Sequence, residues 1–156
     1  MTSLIQLHPA TLFSIQALAR SNAEGARLYA RAAEAVSSPL LQRSFADLAA
    51  RRANHAQVLE SQLAIHGVDP GDGALGECAS EAWASLRAQL RAGNDHAIAL
   101  EAERGERRIQ TAYESLLRQT AGTALGGVLQ GQYAQVQATR EALRETRDTL
   151  WLARFR

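Results

Sequence analysis

The sequence predicts an all-α protein built from four long helices and one short helix. Three observations predict this class. Ala, Leu, Arg, Glu and Gln, which are strong helix formers, dominate the 156 residues. Apolar residues recur at intervals of three and four positions, as they do on one face of a helix. Ser, Pro, Gly and Asn interrupt this pattern at only a few places. We expect one domain over residues 1–156, large enough to bury its own core.

The first two long helices are predicted from their capping residues. Pro9 suits the first turn of a helix that runs over residues 9–36. Ser38 is the expected N-cap of a second helix over residues 38–66, with Pro39 as its first helical residue. Gly67 then ends that helix as a C-cap. A loop follows over residues 67–76, because this stretch is rich in Gly, Asp and Pro.

The remaining helices and the connection lengths predict the topology. A short helix is expected over residues 77–91, and two long helices over residues 95–120 and 123–153. Asn94 or Asp95 caps the third long helix. Short turns make each pair of long helices an antiparallel hairpin, and a helix of ~15 residues between the pairs spans about 22 Å. The expected fold is therefore a four-helix bundle of the ferritin-like type, in which a long crossover containing the short helix joins two hairpins.

Charge and composition exclude several classes of protein. All 17 cationic side chains are Arg, and 16 acidic ones bring the formal net charge to +1. A dedicated nucleic-acid binder normally has a basic patch, so we expect no nucleic-acid partner. The N-terminus has no basic segment of a signal peptide, and no apolar run approaches the ~20 residues of a membrane span. A single cysteine excludes an intramolecular disulfide. We expect a cytoplasmic protein without a transmembrane segment.

Polar side chains interrupt the apolar faces of all four long helices. Buried polar groups need hydrogen-bond partners, and buried charges need opposite charges or a metal. The faces therefore predict a buried polar layer in the middle of the bundle. Its predicted members are Asn22, Arg52, His55, Glu103, Glu106, Gln132 and Gln135.

Several short motifs resemble those of a known family. They are Glu24-Gly25 with Tyr29, the segment Glu103-Arg104-Gly105-Glu106 that precedes Tyr113, and Gln132-Tyr133-Ala134. With these motifs, residues 23 to 147 resemble a bacterial family of ferritin-like four-helix bundles, known as a domain of unknown function. The resemblance implies the ferritin-like fold and no particular activity.

The wider ferritin-like superfamily suggests a test for metal binding. Its dinuclear sites use a Glu from each of two helices and a Glu-x-x-His motif from each of the other two. Here the candidate ligands are Glu24, His55, Glu103 and Glu106. The second helix has Arg52 where a carboxylate ligand is expected. The fourth has Gln132 and Gln135, whose amides are weak ligands for transition metals. We therefore expect no cofactor, with iron or manganese as the alternative.

Arg52 has two interpretations. Its guanidinium can replace the charge of the missing metals by pairing with Glu24, Glu103 or Glu106. Alternatively, it extends to solvent from the edge of a narrow apolar face. His55 has two interpretations as well, since a histidine on an apolar face is more often a hydrogen-bonded core residue than a metal ligand.

Three functions remain open. The first is a non-catalytic bundle that acts through protein–protein contacts, as a homo-oligomer and by default a dimer. The second is an iron- or manganese-binding, oxidase-type bundle with a reduced site. The third is a binder of small hydrophobic ligands between the helices. No nucleophile–base pair, phosphate-binding loop or zinc motif is recognisable in the sequence.

Overall fold

The computed structural model describes residues 7–69, 77–92 and 94–155, and the side chains of all of these except residues 77–82 and 92. Of the predicted loop over residues 67–76, only residues 67–69 are among those described. The described part of the chain is all-helical. Its five helices are α1 (Pro9–Ala35), α2 (Pro39–Ile65), α3 (Glu77–Ala92), α4 (Asp95–Gln119) and α5 (Ala124–Ala153).

Side-chain caps set the helix ends, which agree with the predicted ends to within one residue. Asn94 Oδ1 accepts the backbone N–H of Ala97 at 2.9 Å, and Thr123 Oγ1 accepts that of Gly126 at 3.0 Å. Ser38 caps α2 in the same way through the N–H of Leu41. Gly67 follows α2 with a φ of 72°, a left-handed conformation that glycine adopts without strain. The capping residues therefore predicted the boundaries well.

The four long helices pack around one core, with α1 on α2 and α4, and α5 on α4 and α2. The carboxylate of Asp95 accepts the backbone N–H groups of Ser37 and Ser38, so α2 and α4 begin at the same end of the bundle. At the other end, Thr11 Oγ1 donates to Gln119 Oε1 at 3.0 Å. Helices α1 and α5 thus run antiparallel to α2 and α4. We call the end near Asp95 the upper end.

Helix α3 lies on the outside of the bundle against α4 and α1. Its anchor is Trp83, which is completely buried. The indole Nε1 donates to Ser21 Oγ at 3.2 Å, and the ring meets Tyr29 edge to face, with centroids 5.6 Å apart. The indole also lies directly over Gly25, where an added Cβ would come within 2.7 Å of it. Gly25 is therefore the residue that lets α3 approach α1.

Polar pairs between α4 and α5 set the register of these two helices. Glu103 binds Arg147, Arg140 donates to Gln110 Oε1 at 2.8 Å, and Tyr133 donates to Glu114 Oε1 at 3.0 Å. Residue numbers rise along α4 and fall along α5, as expected for antiparallel neighbours. Most of the buried side chains between the helices belong to one apolar core. Within the described ranges, no helix combines the length and hydropathy needed to cross a membrane.

Candidate functional site

An ion pair lies at the centre of the bundle. The side chains of Arg52 on α2 and Glu106 on α4 are only 1% and 0% exposed. Arg52 Nε donates to Glu106 Oε1 at 3.2 Å, and Nη2 donates to Glu106 Oε2, so the guanidinium binds the carboxylate with two parallel hydrogen bonds. Of the three carboxylates expected as partners, Glu106 is the one that binds Arg52. The guanidinium therefore does not extend to solvent.

Neighbouring side chains complete the bonding of both charges. Arg52 Nη1 donates to Asn22 Oδ1 at 3.2 Å and lies 3.3 Å from His55 Nδ1. The Tyr29 hydroxyl donates to Glu106 Oε1 at 2.6 Å. The ring of Tyr29 in turn stacks on Phe45, with centroids 5.9 Å apart. Hydrogen bonds and aromatic stacking thus hold both charged side chains in place.

Hydrogen bonds continue from Arg52 through all four long helices and return to α2. Asn22 Nδ2 donates to the Tyr113 hydroxyl at 3.1 Å, and this hydroxyl donates to Gln132 Oε1 at 2.8 Å. Gln132 Nε2 then donates to the backbone carbonyl of His55 at 3.3 Å. We call this closed path from Arg52 to His55 the polar ring. No buried side-chain nitrogen or oxygen of the described residues lacks a hydrogen-bond partner.

The electrostatics of the site keep Arg52 charged and the tyrosines neutral. Burial by itself lowers the pKa of Arg52, but the charge of Glu106 raises it, and the net shift is upward. Burial also raises the pKa of Tyr113 to about 12. The pKa of Tyr29 rises well above its usual value because of burial and the Glu106 carboxylate. Both hydroxyls therefore act as neutral donors.

The bonds of His55 define its protonation. A guanidinium only donates, so Nδ1 of His55 is an acceptor beside Arg52 Nη1. The proton of the neutral ring is then on Nε2, which donates to Gln135 Oε1 at 2.8 Å. Burial lowers the pKa of His55 and the nearby Arg52 charge lowers it further, against an opposing effect of Gln135. The neutral imidazole is thus part of the folded structure.

We expect this histidine to make stability depend on pH. The pKa of His55 in the unfolded chain is the usual value of 6.5, and in the folded protein it is lower. The unfolded state therefore binds a proton more readily, so the free energy of unfolding falls as the pH drops below that value. Urea denaturation from about pH 7 to about pH 5 measures this loss. His55→Gln is expected to flatten the curve, and an unchanged slope would contradict the assignment.

The predicted site residues do not all meet. Asn22, Arg52, His55, Glu106 and Gln132 are buried together in the layer. Gln135 is exposed, although it binds His55, and Glu103 is half-buried and pairs with Arg147 at the α4–α5 surface. The prediction that these two residues are buried is therefore corrected. Glu103 precedes Glu106 by three residues on α4, and the two side chains bind different helices. Glu103 binds Arg147 on α5, whereas Glu106 binds Arg52 on α2.

The four candidate metal ligands are likewise separated. Glu24 is partly exposed and pairs with Arg87 on α3 at 2.9 Å and with Arg27 at 3.3 Å. Within the described part of the chain, no group of three or more His, Cys, Asp and Glu side chains is arranged to hold a metal ion. In the centre, the oxygens of Glu106 and both ring nitrogens of His55 already have hydrogen-bond partners.

Sequence reasoning missed the role of two tyrosines. The predicted polar layer includes neither Tyr29 nor Tyr113. Both rings are fully buried, and their hydroxyls complete the layer. The available signal was their position: a tyrosine on a core-facing stripe brings a hydroxyl that needs a partner. Cys78 lies among the residues whose side chains are not described.

Residues 10–119, which span α1 to α4, match the family model described as a domain of unknown function, DUF2383. Helix α5 lies beyond the matched residues. The chain matches no curated protein and no solved structure with which it was compared.

Proposed function

The chain belongs to the DUF2383 family, and we propose that it is a non-catalytic bundle of the ferritin-like type that acts through protein–protein contacts. In this proposal, the Arg52–Glu106 pair takes the place that two metal ions have in the metal-binding relatives of that fold. The permanently charged guanidinium provides the positive charge, and the polar ring holds the helices around it.

The helix directions support the ferritin-like part of the proposal. Helices α2 and α4 begin at the upper end, while α1 and α5 finish there. The chain leaves α2 at the lower end and must return to the upper end before α4 begins. Helix α3 ends at Ala92, just before α4, and lies along α1 and α4. These directions are what two hairpins joined by a long crossover would have, and they support the proposed ferritin-like topology.

The single observation that carries the non-catalytic proposal is the complete bonding of Arg52 and Glu106. A general acid, base or metal ligand needs a free lone pair or an exchangeable proton directed at a substrate. Both charges here are directed at each other and are closed off from solvent. The layer therefore has a structural role, which leaves the outer surface as the part that can meet a partner. A homodimer is the assembly we propose, and the mass in solution, measured by light scattering, tests it.

The variant Arg52→Glu tests whether the guanidinium stands in for metal. It restores the Glu-x-x-His pattern on α2, beside Glu106, and frees His55 Nδ1 as a ligand. Without metal, we expect strong destabilisation because two carboxylates are buried together. With Mn²⁺ or Zn²⁺ we expect recovery, by about 2.7 kcal/mol at a concentration 100 times the dissociation constant. Thermal unfolding with and without metal measures the recovery.

The matched control is Arg52→Gln, which removes the cation and adds no charged ligand. It should respond to metal as little as the wild-type protein does. If Arg52→Glu gains no more from metal than Arg52→Gln, the guanidinium does not occupy a metal-like position. Iron or manganese bound stoichiometrically to the untagged wild-type protein, and lost in Glu106→Gln, would instead favour the metal-binding function.

A further inference from the structure

The two seams between the helical hairpins are covered differently. Contacts within the α1–α2 pair and within the α4–α5 pair are far more extensive than those of α1 with α4 or of α2 with α5. Helix α3 packs on both α1 and α4 and covers the seam between them. In the described part of the chain, no helix covers the seam between α2 and α5 in this way. We call this second seam the open seam.

A small cavity lies in the open seam. It has a volume of about 60 Å³ and is lined by residues of both helices, namely Ser44, Asp47 and Leu48 on α2 and Thr139, Ala142 and Leu143 on α5. A cavity needs about 10–15 Å³ to hold one water molecule, and polar groups line part of this one. Water therefore fits between the two helices at a point about two turns of α2 from His55.

His55 holds the two helices of the open seam together at the level of the polar ring. The residue is 3% exposed, and its Nε2 donates to Gln135 Oε1 on α5 at 2.8 Å. Gln135 is itself exposed, so this bond lies at the boundary between the core and water. On its inner side the ring contacts Arg52 through Nδ1. The imidazole thus fills the space between Arg52 and the surface.

Protonation changes the bonding of His55 at one atom. Nε2 already carries a proton in the neutral ring, so a second proton binds Nδ1. Nδ1 lies 3.3 Å from Arg52 Nη1, and a guanidinium nitrogen can only donate. Two donors then face each other, and the hydrogen bond between them is lost. The buried position of the ring therefore suits the neutral imidazole and not the imidazolium.

The charges that face His55 also oppose an imidazolium at this position. On its own helix, Arg51 and Arg52 are cations, and the nearby Asp47 is already bound to Arg51. From α4, Glu106 faces the ring, but both of its oxygens are bound to Arg52. The remaining side chains of the layer are uncharged, and they are Asn22 and Tyr29 on α1, Tyr113 on α4, and Gln132 and Gln135 on α5. A protonated ring is thus an additional cation without an anion of its own.

We propose that His55 is an acid-sensitive contact that keeps the open seam closed, and that its protonation turns the ring outwards past Gln135 and admits water as far as Arg52. The two hydrogen bonds between Arg52 and Glu106 persist. The backbone carbonyl of His55 stays in α2 and still accepts from Gln132. The change is therefore local, and the bundle remains helical. This inference is independent of the proposed function, because it concerns the response of the layer to acid and not the partner of the outer surface.

Nuclear magnetic resonance of the imidazole protons in the full chain tests the proposal. In a titration from about pH 8 to about pH 4, we expect the midpoint of His55 to lie below the usual 6.5. Each pH unit of that difference measures a tenfold preference of the neutral protein for the closed seam. A water-soluble paramagnetic agent should broaden the His55 signal only below the midpoint. The exposed His8 should be broadened equally at both ends of the titration.

Gln135→Glu and Gln137→Glu form a matched pair of variants. Both replace an exposed glutamine of α5 with a carboxylate, but residue 137 lies on the opposite side of the helix from residue 135. Gln135→Glu puts the negative charge beside His55 Nε2 and should raise the midpoint by about one pH unit. Gln137→Glu should leave the midpoint unchanged. Circular dichroism should show the same helix content on both sides of each midpoint.

Three results would overturn the proposal. The first is a His55 ring that stays inaccessible to the paramagnetic agent after it has bound its proton, because the seam would then remain closed. The second is loss of the helical signal together with protonation, since acid would then unfold the bundle instead of opening one seam. The third is an equal midpoint in the two glutamate variants, which would contradict the contact between His55 and Gln135.

Discussion

Arg52→Ala is expected to lower the free energy of unfolding by about 3–5 kcal/mol. The substitution leaves Glu106 charged at a position that is 0% exposed, with Tyr29 as its remaining hydrogen-bond donor among the partners described. It also removes the donors to Asn22 and His55 and opens a cavity in the centre of the core. Urea denaturation at neutral pH measures the change. A loss below about 1 kcal/mol would show that the pair is not buried as described.

Two further variants separate the ion pair from other effects of the substitution. Arg51 is the exposed neighbour of Arg52 and binds Asp47 one turn away, so Arg51→Ala should cost less than about 0.5 kcal/mol. The double variant Arg52→Met/Glu106→Leu replaces both charges with apolar side chains. It is expected to be more stable than Arg52→Ala, because no uncompensated charge remains in the core. Recovery stays partial, since Tyr29 and Asn22 each lose a partner.

Trp83→Ala is expected to cost about 3–5 kcal/mol, the usual range for removing a fully buried aromatic side chain. The indole is the main anchor of α3 on α1, and its loss also leaves Ser21 Oγ without a donor. Because α3 contacts α4 and α1 only from outside, we expect its amide hydrogens to exchange faster than those of the four long helices in this variant. Denaturation and hydrogen exchange together measure the two effects.

A double-mutant cycle with Gly25 isolates the contact. Gly25→Ala alone puts a methyl group 2.7 Å from the Trp83 ring and should cost about 1–3 kcal/mol. In the Trp83→Ala background the clash is gone. Alanine is favoured over glycine within a helix by roughly 0.5–1 kcal/mol, so the same substitution should then be neutral or stabilising. Additive effects of the two substitutions would contradict direct contact.

The helices were predictable because their signals are local. Ser38-Pro39, Gly67 and Asn94 act within one turn of the chain, and the structure places the helix ends at these residues. The topology depended on connection lengths, which are also visible in the sequence. The cap of α4 shows the limit of local reasoning. Asn94 and Asp95 were equally good candidates, and what distinguishes them is that Asp95 binds Ser37 and Ser38, which are distant in the sequence.

The candidate site was predictable in its members but not in its pairing. Polar residues on apolar faces indicated Asn22, Arg52 and Glu106, because burial of such groups demands partners. The choice of Glu106 over Glu103 depends on the rotation of α4 about its axis. If the rotation of a helix is misjudged by the angle between two successive residues, a surface position is mistaken for a core position. Only the tertiary contacts of α4 determine it, and those bring Glu103 to Arg147.

The polar ring has a consequence for the uniqueness of the fold. Going from Arg52 to Asn22, Tyr113, Gln132 and back to α2, every hydrogen bond is donated in the same direction around the bundle. Apolar layers of Leu, Ile and Ala would tolerate a bundle in which α4 and α5 had exchanged places. The ring disfavours that exchange, because the bonds from Asn22 to Tyr113 and from Gln132 to the His55 carbonyl join helices that would no longer be neighbours. These two bonds thus favour one handedness in the arrangement of the helices over the other.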